Sequence, residues 1–148
     1  MSRRVMRGFS PAALREAREA ANISQADLAR LAGVGRATLY HWEAGKATPQ
    51  VDVLVKVVAR LGISIADIVR VPVDERFPGD LRVLRGMTQP QLGKAAGVST
   101  AMVGAIERGE VDPTDAVAQA IARELGVTTA ELAAAHARAK ARPPGTSA

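Results

Sequence analysis

The chain has 148 residues with 47% apolar and only 3% aromatic side chains, no cysteine, and a net charge of +5. Without cysteine there is no disulfide, thiolate nucleophile or cysteine-based metal site, and the core must be built from Ala, Leu, Val and Ile, residues that suit compact helical domains. The excess charge lies entirely in the first half: residues 1–71 hold eleven Lys/Arg against six Asp/Glu, whereas residues 72–148 hold nine of each. Leaving out the C-terminal run, residues 72–132 carry six cations and nine anions, so a polyanionic partner is expected on the first half. No apolar run approaches the roughly 20 residues that span a bilayer. The start "MSRRVMRGFS" is cationic but lacks an apolar stretch behind it, so it does not read as a secretory signal. The expected compartment is the cytoplasm.

In chain order, Ser10-Pro11 places an N-cap before a proline at the first helical position. Ser24 with Asp27 forms a capping-box pattern, and Gly33 supplies a left-handed stop. A second helix is expected from about Gly35 after a three-residue turn. Thr48-Pro49 then opens a helix whose buried side carries Val51, Leu54, Val55, Val58 and Leu61, and Gly62 closes it. Ser64 with Asp67 opens a fifth helix. The segment "VPVDERFPGD" has two prolines and a glycine and reads as a short, partly extended linker over residues 71–79.

The same devices then recur. Residues 24–46 align without gaps to 88–110, Pro49 matches Pro113, Leu61-Gly62 matches Leu125-Gly126, and Ile68 matches Leu132. Upstream, "LREAREAANIS" corresponds to the shorter "LRVLRGMT". A repeat of this kind marks two copies of one supersecondary unit. The expectation is an all-α protein of two tandem five-helix domains, over 1–70 and 80–135. A basic Pro/Gly-containing tail follows over 136–148, with its last residues disordered.

Ser24 to Leu31, the turn at Gly33 and the following helix make a helix-turn-helix. A small residue is needed where the second helix crosses the first, which Ala29 and Gly93 provide. Val34, Leu39 and Trp42 should face inward, as should Val98, Val103 and Ile106. The segments "SQADLARLAGVGRATLYHWEAGK" and "TQPQLGKAAGVSTAMVGAIERGE", each with its downstream proline and Leu-Gly helix end, resemble the lambda-repressor-like, Cro/C1 or XRE-type helix-turn-helix DNA-binding family. The resemblance covers residues 9–69 and 78–132. It implies that the second helix of the motif lies in the major groove with its first residues against base edges.

Carried over by position, the base-reading residues are Arg36, Ala37, Tyr40 and His41. Arg36 can bond O6 and N7 of guanine together, and Ala37 can meet a thymine methyl. Tyr40 and His41 reach either a base or a phosphate. Gln25 and Lys46 match phosphate-contacting positions, and Arg3, Arg4 and Arg7 make a candidate arm. The resemblance also implies two structural ion pairs, Arg18 with Glu43 and Arg85 with Glu107. In the second copy the reading positions are Thr100, Ala101, Gly104 and Ala105, and Glu110 replaces Lys46. Only weak contacts through Gln89, Lys94, Thr100 and Arg108 are expected there, because affinity for DNA rests on phosphate neutralisation. Its small-residue face, Ala101, Gly104 and Ala105, is instead a candidate docking surface for a second copy or a protein partner.

The implied function is a cofactor-free, sequence-specific regulator of transcription that binds double-stranded DNA. An antitoxin or plasmid/phage maintenance protein repressing its own operon shares that chemistry, and a protein-interaction adaptor would use the second unit. No paired carboxylates, nucleophile constellation, phosphate-binding loop or metal-ligand spacing points to an enzyme.

Overall fold

Short polar caps start most of the helices and left-handed glycines stop most of them. The computed structural model describes residues 5–148; it is all-α and divides into two compact units between Arg70 and Val71. In the first unit, α1 (Pro11–Ala20) begins at Ser10, whose hydroxyl accepts from the Ala13 N–H. Ser24 caps α2 (Gln25–Ala32) through the Asp27 N–H, and Gly33, with φ 71°, ends it. After the turn comes α3 (Arg36–Glu43), then α4 (Val51–Leu61), which stops at the left-handed Gly62. Leu14, Leu28, Leu39 and Leu54 are wholly buried among these helices with Trp42 beside them.

Three details depart from the sequence expectation. Thr48-Pro49 precedes α4 rather than opening it; Gln50 is the N-cap, and the Thr48 hydroxyl accepts from the Met6 N–H. Along α4, Val57 joins the core while Val55 and Leu61 are only half-buried. The fifth helix is a single 3₁₀ turn, Ile65–Asp67. The reason is competition for backbone hydrogen bonds. Ser10 N–H donates to Ile68 O and Arg70 N–H to Gly8 O, with a bridge between Phe9 and Val69. Backbone paired across the unit in this way cannot also continue a helix.

The second unit contains α5 (Pro78–Leu84), α6 (Gln89–Ala96), α7 (Thr100–Glu107), α8 (Asp115–Leu125) and α9 (Thr129–Ala141). Its core is Leu92, Val103, Ile106, Ile121, Ala122, Leu125 and Leu132. The two units share one register, an offset of 64, even upstream of the helix-turn-helix. Asn22 and Gly86 both adopt the left-handed conformation after the first helix. The repeat therefore has no internal gap. Instead α5 starts late, at Pro78, where the Phe77 N–H donates to the Asp80 carboxylate.

Residues 71–79, expected as a linker, fold with the second unit. Val71 and Phe77 are buried, a 3₁₀ turn spans Val73–Glu75, and Arg76 Nε donates to Val71 O. The segment expected as a tail is also structured, since α9 runs through residue 136 to Ala141. Ala135 and Ala139 are fully buried one turn apart, and a Cβ on Gly109 would lie 2.9 Å from the Lys140 backbone nitrogen. Small residues on both sides permit that close approach. Polar bonds frame it: His136 Nε2 lies 2.9 Å from Val111 O, Lys140 Nζ 3.1 Å from Asp112 Oδ1, and Arg142 Nη1 2.6 Å from Arg108 O.

Removing residues 136–148 should therefore destabilise the second unit by about 2 kcal/mol or more, from lost burial and hydrogen bonds. The single tryptophan, Trp42, is in the first unit, so its fluorescence should keep its urea midpoint while a far-UV circular dichroism transition shifts to lower urea. Unchanged curves by both probes would refute the role of α9.

Candidate nucleic-acid interface

A buried carboxylate fixes the orientation of α3. Leu39 and Trp42 anchor its inner side, and Glu43, one residue on, is 7% exposed. Glu43 accepts from Arg18 Nε at 2.7 Å and Nη2 at 2.9 Å, and from Gln25 Nε2 at 3.2 Å. Arg18 also donates through Nη1 to Ile23 O, at the turn between α1 and α2. The hydrogen bond to Glu43 raises the Arg18 pKa above its ordinary value, outweighing the opposing effect of burial. One carboxylate thus ties α1, α2 and α3 together.

With that side sealed, Arg36, Ala37, Tyr40 and His41 are all exposed on the outer face of α3. The Tyr40 and His41 rings sit 5.8 Å apart, tilted by 59°, and Lys46 Nζ lies 5.8 Å from the Tyr40 ring centre. Arg36 and Lys46 make no ion pair with an acidic side chain among the described residues. The helix starts at Gly35 with no side-chain cap, which leaves its first N–H groups available to an anion. An open cleft of about 630 Å³ runs beside Thr38, His41, Lys46, Thr48 and Gln50. Gln25 is half-buried with its amide held by Glu43 at the edge of this face. Arg3 and Arg4 lie outside the described residues. Arg7 is half-buried in a segment that folds back through the Met6–Thr48 and Gly8–Arg70 hydrogen bonds.

The second unit repeats the anchor with one correction. Glu107 accepts from Arg82, not Arg85: Nε at 2.6 Å and Nη2 at 3.2 Å, with Gln89 Nε2 at 2.9 Å. Arg82 Nη1 reaches Met87 O, as Arg18 reaches Ile23 O. A gap in the first helix would bring Arg85 opposite Glu107. With the offset of 64 preserved, Arg82 occupies the place of Arg18, and the exposed Arg85 packs its guanidinium against Gly126.

Outside the anchor the units diverge. Thr100, Ala101 and Lys94 are exposed, but Gly104 is buried and Ala105 half-buried, so the small-residue docking face is not continuous. What covers Gly104 is Arg108, whose guanidinium lies 3.0 Å from the place a Gly104 Cβ would occupy. Arg108 in turn makes two hydrogen bonds to Glu110, at 2.9 and 3.1 Å. That bond raises the Arg108 pKa and lowers the Glu110 pKa, so both stay charged at neutral pH. The signal was present in the sequence as a concerted exchange of Tyr40, Ala44 and Lys46 for Gly104, Arg108 and Glu110. Ser99 also caps α7 through the Met102 N–H. Other cations of this unit are engaged internally: Arg76, Arg138 and Arg142 donate to backbone carbonyls, and Lys140 to Asp112.

The family model described as helix-turn-helix matches the chain twice, over residues 14–68 and 80–132. Among curated proteins, no sequence matches it. No helix among the described residues is long and apolar enough to cross a membrane.

Removing one partner of a buried ion pair leaves the other charge uncompensated, at a cost of about 3–5 kcal/mol. Arg82→Ala should thus lower the urea stability of the second unit by that order, whereas Arg85→Ala should change it by less than about 0.5 kcal/mol, as for an ordinary surface position. The reverse ranking would restore the gapped register.

Proposed function

The chain belongs to the helix-turn-helix family of the Cro/C1 (XRE) type and is a DNA-binding transcription regulator; from that premise we propose that it reads double-stranded DNA through its first unit, with α3 in the major groove. The observation that carries this reading is the outer face of α3. Arg36, Ala37, Tyr40 and His41 are exposed there together, and the cations Arg36 and Lys46 have no acidic partner among the described residues. The matching positions of α7 carry no comparable set.

Each side chain then has a role that its chemistry permits. The Arg36 fork donates to O6 and N7 of a guanine, the commonest base-specific contact in the major groove. Ala37, one residue on, packs on a thymine methyl. Tyr40 and His41 extend the reading edge or meet a phosphate. Lys46, beyond the end of α3, and the Gln25 amide contact the phosphate backbone, which sets position and affinity rather than sequence. Gln25 donates to Glu43 through Nε2, and the second hydrogen on that nitrogen remains for a phosphate oxygen.

One reading helix per chain favours two chains on a site with two symmetric half-sites. Each half-site would then be met in the major groove on the same side of the duplex.

Selection of bound sequences from a random duplex library tests this directly, and the recovered site should contain a repeated half-site with an invariant guanine. Arg36→Ala should weaken binding to that site by about 1–3 kcal/mol and relax the guanine position. Lys46→Ala should weaken all sequences alike and reduce the slope of log affinity against log salt by about 1. A selected motif that is unaltered by Arg36→Ala would sink the assignment of α3 as the reader.

A further inference from the structure

The second unit differs from a domain that merely lost its DNA-contacting residues. Its cation on the α7 face is present, and an internal carboxylate occupies it. In the first unit Tyr40 fills the middle of the outer face, Ala44 is small, and Lys46 points its charge outward with no acidic partner among the described residues. In the second, Gly104 leaves that middle position empty of side chain. The Arg108 guanidinium lies over it, with the Gln89 amide nitrogen also within 3.7 Å of a Cβ at that glycine. The guanidinium thus lies on the surface of α7 at Gly104, in the same neighbourhood as the residue that matches Gln25. A carboxylate gripping a guanidinium with two oxygens has the geometry of a phosphate doing the same.

We propose that Arg108 is a latent DNA-backbone contact and that Glu110 is the residue that silences it, an internal anion standing where a phosphate would bind. This rests on the reading of α3 given above, because it assigns the same partner to the matching face of α7. Two effects of one side chain then keep the second unit off DNA: Glu110 neutralises Arg108, and it repels the strand that Lys46 attracts in the first unit. Both groups are substantially solvent-exposed, 39% for Arg108 and 58% for Glu110, so substitution at either should leave the fold intact. The remaining contacts of the face, Thr100 and Lys94, are exposed and need no rearrangement.

The test measures binding of the full chain to a random-sequence duplex over a range of salt concentrations, in the wild type and in an Arg36→Ala/Lys46→Ala background. In that background Glu110→Gln should raise affinity by about three- to ten-fold and steepen the salt slope by about 0.9, one recovered phosphate contact. Glu110→Lys should steepen it by about twice as much. Adding Arg108→Ala to Glu110→Gln should remove most of the gain, and Asp115→Asn, an equal change in net charge, should give a smaller one. A Glu110→Gln chain that binds no better than its parent overturns the proposal. A gain that survives Arg108→Ala undiminished also overturns it, because relief of the Glu110 repulsion is then sufficient, and so does a gain that Asp115→Asn equals, because bulk charge is then sufficient. Full affinity in the Arg36→Ala/Lys46→Ala chain overturns the reading of α3 and this proposal with it. Loss of affinity in that chain, with no response to Glu110→Gln, overturns the latch alone.

Discussion

A carboxylate taken out of water must be met by donors on nearly every lone pair, and that demand organises both halves of this protein. Glu43 is satisfied by an arginine from α1 and a glutamine from α2, Glu107 by an arginine from α5 and a glutamine from α6. A buried ion pair adds little net stability compared with an apolar replacement. Its value here is geometric, since three helices must be correctly placed before the charge is compensated. The backbone of α3, and of α7 in the second unit, is thereby held from within, and its outer residues are left free to differ.

The two units use that freedom in opposite ways. In the first, the outer face holds an arginine, two aromatic rings and a lysine, and the helix begins without a side-chain cap. In the second, a threonine, a glycine, an alanine and a glutamate replace them, an arginine paired to that glutamate covers the glycine, and a serine hydroxyl caps the helix start. Cation number is a poor guide to this contrast. The second unit has nine Lys/Arg residues, but most of them donate to carboxylates or carbonyls of their own unit. What a polyanion meets is charge that the protein has not already used.

The loops that follow α3 and α7 must also be covered, and the two units cover them with different segments. In the first, the N-terminal segment lies near it, with Met6 bonded to Thr48 and Pro11 close to Gly45. In the second, the last turns of α9 cross it at Gly109, fastened through Val111, Asp112 and Arg108. This difference explains why a segment rich in alanine and basic residues is structured to Ala141. Its alanines are small enough for close packing, and its cations reach acceptors at the edge of that contact.

Much of the fold was written in local chemistry. Caps such as Ser24 and Thr88, stops such as Gly33 and Gly97, and the apolar spacing of Leu28, Leu39 and Leu54 act over one or two turns. They therefore specify helices, the repeat and the outward side of α3 without reference to anything distant. The partner of Glu107, the fate of Arg108, the inclusion of residues 71–79 in the second unit and the length of α9 were decided otherwise. Each depends on which groups meet across the fold. Arg82 and Arg85 are both arginines on or just after one short helix, and only the position of that helix against α7 selects between them. Gly104 and Glu110 each look unremarkable alone, and their meaning comes from the guanidinium that packing brings over one and against the other. Local sequence determined the elements and their faces. Tertiary structure decided which charges are used up inside the protein, because a charge is free or spent only with respect to the neighbours that folding supplies.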